Sequence, residues 1–191
     1  MIQKHLKSSQ EKLANFGYGE WVEEPDDVEF EHLGIRCRIL RNFSGSLCGY
    51  SEVPKGHPWY GMDYMKVPVE VHCGLTFGEE WVLEDKIKDS SGYWIGFDCA
   101  HANDIVPTCE RTIVEVRTRM SQRHPWLKDY VPLFQRTYKN INFCVQECKS
   151  MAEQINKASL AADFQKQILD AINEKYLLSK DGTVTERERD G

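Results

Sequence analysis

Apolar and polar positions change rhythm several times along this chain, and each rhythm predicts an element. Leu6, Leu13 and Phe16 give residues 3–16 the spacing of a short amphipathic helix, which Gly17 and Gly19 end. Ile35-Arg36-Cys37-Arg38-Ile39-Leu40 alternates apolar and basic residues, as a strand does. Asn42–Gly45 reads as a turn and Leu47–Val53 as the returning strand of a hairpin. Pro54-Lys55-Gly56-His57-Pro58 reads as a loop, because two prolines and a glycine continue neither element. Val67–Thr76 is expected as a strand, with Val67, Val69, Val71 and Cys73 on one face and Glu70 and His72 on the other. Glu80–Leu83 reads as a short strand and Lys86–Gly92 as a polar loop. Tyr93–Cys99 is almost continuously apolar, which suits a central strand covered on both faces.

Residues 105–136 show no decisive period. Ile113, Val114 and Val116 fit a strand or a helix, and His124-Pro125-Trp126 ends whatever precedes it. Ile141, Cys144, Val145, Cys148, Met151, Ala152 and Ile155 then recur at helical spacing, which predicts a helix over 137–157 with Thr137 as its N-cap. Leu160, Phe164, Ile168, Ile172 and Tyr176 recur every four residues and predict a second helix over 160–178. The two helices would form a C-terminal hairpin, and the charged stretch 180–191 a frayed tail. The expected fold is α+β: one domain over 1–179, with a mostly antiparallel sheet of about five strands in 34–107 and the helical hairpin packed on it or beside it.

Length and charge narrow the partners. The chain has 191 residues and a net charge of −6, enough to bury a core without disulfides. No Lys/Arg cluster is dense enough to grip a nucleic-acid duplex. Seven acids fall within residues 20–31, from Glu20 to Glu31. That segment reads as a solvated linker, or as an acidic surface that docks a basic partner. Met1–Lys12 is polar and charged, unlike a signal peptide, and no apolar run approaches the ~20 residues of a membrane span. Seven cysteines without a CxxC pair suit buried thiols in a reducing cytoplasm. The apolar faces of the last two helices would serve a homodimer interface as readily as an intrachain core.

Candidate chemistry concentrates at two places. His72 lies mid-way along one expected strand, and Asp98, His101 and Asp104 cluster at the end of another. If the two strands pair, His72 and Asp98 approach across the sheet. The group then supplies ligands for a metal, or an acid/base pair with His72 or His101 as base and Asp98 orienting it. The spacing is neither HExxH nor the HxE…PCxxC of zinc deaminases. The alternative is that these side chains satisfy buried backbone groups around a turn. His57, Trp59 and Tyr60 form a second candidate, a loop that stacks on a planar ring or is pinned to the core by its aromatics; Tyr64 and Trp94 would extend such a platform. As nucleophiles, Cys99 has His101 two residues away and Cys73 is adjacent to His72, but neighbours on a strand point to opposite faces.

Leu47-Cys48-Gly49-Tyr50, the run from Val53 through Gly56-His57-Pro58-Trp59-Tyr60-Gly61 to Tyr64, Val71-His72-Cys73-Gly74-Leu75-Thr76-Phe77, and Trp94-Ile95-Gly96-Phe97-Asp98-Cys99-Ala100-His101-Ala102-Asn103-Asp104 together resemble a family of small, uncharacterised bacteriophage and prophage proteins. The resemblance covers residues 34–107 and the helix at 137–157. Family members usually show His-Gly-Gly where this chain has His72-Cys73-Gly74, which argues against a shared role for Cys73. No activity is established for the family, so no catalytic role carries over. The resemblance implies a context in which small acidic phage proteins counter host defence, by sequestering or degrading a nucleotide signal or by blocking a defence protein. The expected function is binding of a small polar ligand, with hydrolysis as the reaction if one is catalysed, in a pocket of His57, Trp59, Tyr60, His72, Trp94, Asp98, His101 and Asp104. The expectation from a different class is an inhibitor that occludes a host or defence protein through segment 20–31 and the helical hairpin.

Overall fold

Alternating residues of the central strands bury one face, and that face sets the architecture. The computed structural model describes residues 1–82, 91–124, 136–178 and 184–186. Six strands, β1 (Ile2–Lys4), β2 (Asp27–His32), β3 (Ile35–Arg41), β4 (Leu47–Val53), β5 (Phe77–Val82) and β6 (Ser91–Asp98), form one antiparallel sheet in the order β1-β2-β3-β4-β6-β5. Helix α1 (Ser9–Phe16) carries a capping box in which Ser8 and Glu11 satisfy each other's backbone amides. Helix α2 (Pro107–Arg123) starts at a proline, whose missing N–H costs nothing there. Helix α3 is Ile141–Lys175, and a small ribbon of β7 (Tyr176–Leu178) and β8 (Val184–Glu186) follows it. The fold is α+β.

The first half of α3 covers the sheet. Cys144, Val145, Cys148, Met151, Ala152 and Ile155 pack onto Cys37, Ile39, Leu47, Val53, Ile95 and Phe97. The layers touch closely at Gly49. A Cβ there would collide with the Phe97 ring and sit 2.8 Å from Cys148 Sγ. Gly49→Ala is expected to lose about 1–3 kcal/mol of stability, the usual cost of overpacking, as read by urea denaturation.

Three sequence expectations change. Segment 67–76 is not a strand. Val67 is buried and Val69 and Val71 pack on the core, so the alternation is real. Its polar partners, however, are side chains of α3: Gln154 exchanges two hydrogen bonds of 2.8 Å with the Glu70 backbone, and Glu147 accepts from the His72 amide at 2.8 Å. The helical hairpin is one continuous helix, because Lys157-Ala158-Ser159 holds no glycine or proline to break it. It begins at Ile141, with the Asn140 side chain accepting from the Phe143 amide at 3.0 Å, rather than at Thr137. The acidic segment 20–31 is no solvated linker. Asp27–His32 form β2, and Glu24, Asp26 and Asp27 turn inward onto Arg41, Lys12 and Arg38.

Smaller differences follow. The sheet of about five strands has six: Ile2–Lys4, whose last two residues were expected in the first helix, and Asp27–His32 add at one edge, while segment 67–76 drops out. Residues 105–136 include α2, which ends at Arg123; Pro125 and Trp126 lie outside the described residues, as do 83–90 of the expected short strand and loop. In the expected tail, 184–186 pair with 176–178.

Candidate functional site

The two segments that hold the expected site residues meet at one end of the sheet, by a different route from the one expected. After β6, Asp98 Oδ1 accepts from the Ala100 amide at 3.0 Å and turns the chain. The Asp104 carboxylate closes the next turn by accepting from the His101 amide at 3.0 Å. Backbone bonds between Ile105 and Thr137, and between Thr137 and Asn103, tie this loop to the entry of α3. From the other side, segment 67–76 ends in a turn in which Gly74 donates to the Val71 carbonyl. Cys73 occupies the left-handed region there, with φ 54°. A side chain in that conformation costs roughly 1–2 kcal/mol that glycine does not.

These turns place His72 against Asp104. Its Nε2 lies 2.9 Å from Asp104 Oδ2, whose side chain is 1% exposed. The His72 imidazole is 15% exposed and is flanked edge-on by the His101 and Phe143 rings, each at 5.3 Å. His101 Nδ1 is buried without a hydrogen bond, 3.4 Å from Asp104 Oδ2 and 3.9 Å from Asp98 Oδ1. Lys139 Nζ sits 4.0 Å from Asp104 Oδ1 and over the Phe143 ring. Burial alone would raise the Asp104 carboxyl. The His72 hydrogen bond, the His101 amide and the charges of His72 and Lys139 outweigh burial and hold it below its ordinary value.

His72, His101, Asp98 and Asp104 therefore come together, with one change of role. The carboxylate on His72 is Asp104, not Asp98, because residues 67–76 do not pair with β6. Asp98 stands at the margin, beside His101. The same turn corrects the reading of Cys73. Neighbours on a strand would diverge, but in the left-handed turn Cys73 Sγ lies 3.8 Å from His72 Nε2 and 4.0 Å from Nδ1. His72, Cys73 and His101 each offer one ligand atom, and these atoms lie within 4.8 Å of one another. The missed signals were the glycine after His72-Cys73, which marks a turn, and Lys139 and Phe143, which reach the site from a segment read only as helix.

The remaining expected residues sit elsewhere. His57 and Trp59 are buried, so they form no exposed stacking platform. His57 Nε2 meets the Ile155 carbonyl at 2.9 Å and its Nδ1 accepts from the Trp59 amide at 3.0 Å, which pins the loop to α3. Tyr60 packs on Tyr93 at 5.7 Å and donates to Glu80. Trp94 alternates with the core residues Tyr93 and Ile95, so it lies on the other face of the sheet. There Arg36 sits 5.5 Å over its ring, beside a groove of about 270 Å³ also bordered by Met1, Ile2 and Glu29. Cys99 is buried 3.7 Å from Cys144, and that neighbour together with burial pushes its thiol strongly up, the opposite of a nucleophile.

The fold and this cluster define an α+β protein with a polar imidazole–carboxylate–thiol site at one end of an antiparallel sheet. No protein-family model, curated protein or solved structure matches the chain. Among the described residues no helix is long and apolar enough to cross a membrane.

Proposed function

We infer that the protein binds a small polar ligand, of nucleotide or other phosphorylated type, at the His72–His101–Asp104 cluster and hydrolyses it. The observation that carries this reading is the buried Asp104 carboxylate 2.9 Å from the part-exposed His72 imidazole. A carboxylate so placed keeps the proton on Nε2 and leaves the Nδ1 lone pair for a water molecule. His101 and Lys139 supply donors for an anion beside it. The resemblance to phage proteins supports action in a host cytoplasm, against a defence signal.

The test is a thermal-shift series on the full chain with inorganic pyrophosphate and nucleoside mono- and triphosphates, followed by product analysis. At a hundredfold excess over its Kd, a bound compound adds about 2.7 kcal/mol of apparent stability. His72→Gln should remove the shift. Melting that none of these compounds moves, or a shift that survives His72→Gln intact, rejects the reading.

A second reading, occlusion of a host or defence protein, draws on another observation. Leu160, Phe164, Ile168 and Ile172 are exposed along the second half of α3. On that reading Phe164→Glu abolishes biological activity while His72→Gln is silent. The acidic segment supports occlusion less, because its inner carboxylates are consumed by internal ion pairs.

A further inference from the structure

We propose that His72, Cys73 and His101 bind a divalent transition-metal ion of the zinc class, leaving an open position for water or ligand. This rests on placing the functional site at the same cluster, and it changes how His72 is used: as a ligand rather than a free base.

Three observations converge on it. The first is ligand type. Two imidazoles and a thiolate are the soft and borderline donors that select zinc over magnesium or calcium. The second is separation. The three ligand atoms lie within 4.8 Å of one another, whereas a tetrahedral zinc site needs about 3.4 Å between nitrogens and 3.6 Å from nitrogen to sulfur. Binding the ion would draw the three side chains about 1 Å closer together. The third is support. Asp104 already takes His72 Nε2, which leaves Nδ1, 4.0 Å from Cys73 Sγ, as the ligand atom. Carboxylate–histidine–metal relays of this form orient the ring and raise its basicity.

The backbone adds a reason for the cysteine. Its left-handed conformation suits glycine, so the side chain stands there at a cost that binding an ion would offset. As the metal–sulfur bond forms, the Cys73 S–H bond breaks and its proton passes to solvent; no oxidant or reductant is needed. Three protein ligands with a fourth position open is the pattern of catalytic rather than structural zinc.

The test uses the full chain, stripped with chelator under a phosphine reductant and titrated with Co²⁺, then with Zn²⁺ against a chromophoric chelator. The expected result is one ion per chain, four-coordinate visible bands and a thiolate-to-cobalt charge-transfer band in the near ultraviolet. Cys73→Gly should abolish that band and weaken binding at least tenfold, while melting no lower than the parent without metal, since glycine fits the turn. Cys109→Ser, which changes an exposed thiol outside the cluster, should leave the band intact. Absence of stoichiometric uptake, or a charge-transfer band that persists in Cys73→Gly, overturns the proposal. The outcomes also separate the two readings. A stripped chain that binds pyrophosphate or a nucleotide but takes up no cobalt sinks the ion and keeps the ligand site. Cobalt bound through Cys73, with no phosphorylated compound shifting the melt, does the reverse.

Discussion

Arg41→Ala is expected to cost about 3–5 kcal/mol of folding stability, the range for breaking one partner of a buried charge network. The guanidinium is 1% exposed and every arm is engaged. It donates to Asp26 at 2.8 Å, to Glu24 at 2.9 Å, to the Gly45 carbonyl at 2.8 Å and to the Tyr138 hydroxyl at 2.8 Å. Tyr138 in turn donates to Glu24 at 2.6 Å, and fully buried Lys12 approaches Asp26 at 3.3 Å. Removing Arg41 leaves the buried Asp26 carboxylate to Lys12 and the Lys7 amide, and the half-buried Glu24 carboxylate to Tyr138 and the Ile141 amide, each short of its guanidinium partner. Lys66→Ala is the control. It breaks an exposed pair with Asp63 at 3.8 Å, where the expected loss is about 0–1 kcal/mol. Urea denaturation of both variants decides it, and equal losses would mean that the buried network holds nothing together.

The same network fixes the sign of the acid response. Burial would raise the Asp26 carboxyl, but the Lys7 amide, Arg41 and Lys12 outweigh it and hold it below its ordinary value. A lowered folded value contributes stability above the unfolded carboxyl range. That contribution is lost as pH falls through the folded value. Asp104 has the same sign. Stability should thus decline from about pH 4 downward, and Asp26→Asn should flatten that limb of the curve.

The largest effect on binding is expected at Asp104. Asp104→Asn should weaken cobalt or phosphorylated-ligand binding about 10–100-fold, as the loss of an outer carboxylate does at metal-bound histidines. The carboxylate accepts from the His101 amide and meets His72 Nε2 through a single oxygen. An amide oxygen in that place could accept both, but it would carry no negative charge for the imidazoles, and its NH₂ would replace Oδ1 and face the Lys139 ammonium at 4.0 Å. Asp98→Asn should do far less. Asp98 accepts from the next turn's Ala100 amide and stands 3.9 Å from His101. Titration of the three proteins side by side decides it, and equal affinities for Asp104→Asn and the parent would remove Asp104 from the site.

Where periodicity reported burial, the sequence was legible; where hydrogen-bond partners lie far along the chain, it was not. The alternation of Ile35, Cys37 and Ile39 located β3, and Cys144, Cys148, Met151 and Ile155 located the buried half of α3. The alternation Val67, Val69, Val71 was equally sound about burial and silent about what satisfies the backbone, which proved to be Glu147 and Gln154. Of the site, the residue types at 72, 98, 101 and 104 were readable. The pairing of His72 with Asp104 rather than Asp98 was not, because it depends on a turn conformation at Cys73. Asp26 and Asp27 looked like solvated acids because Lys12, Arg38 and Arg41, which neutralise them, sit 11 to 15 positions away.

The cysteines give the molecule an internal clock. Cys37, Cys48, Cys99, Cys144 and Cys148 are sealed in, and only Cys73 and Cys109 meet solvent. Burial pushes the Cys37 and Cys48 thiols up to about 11, so they stay protonated near neutrality as well as hidden. An alkylating reagent would label two sites at once and the other five only as the protein opens. The slow phase at Cys37, Cys99, Cys144 and Cys148, followed by mass, would time the separation of helix from sheet without a dye or an added tryptophan.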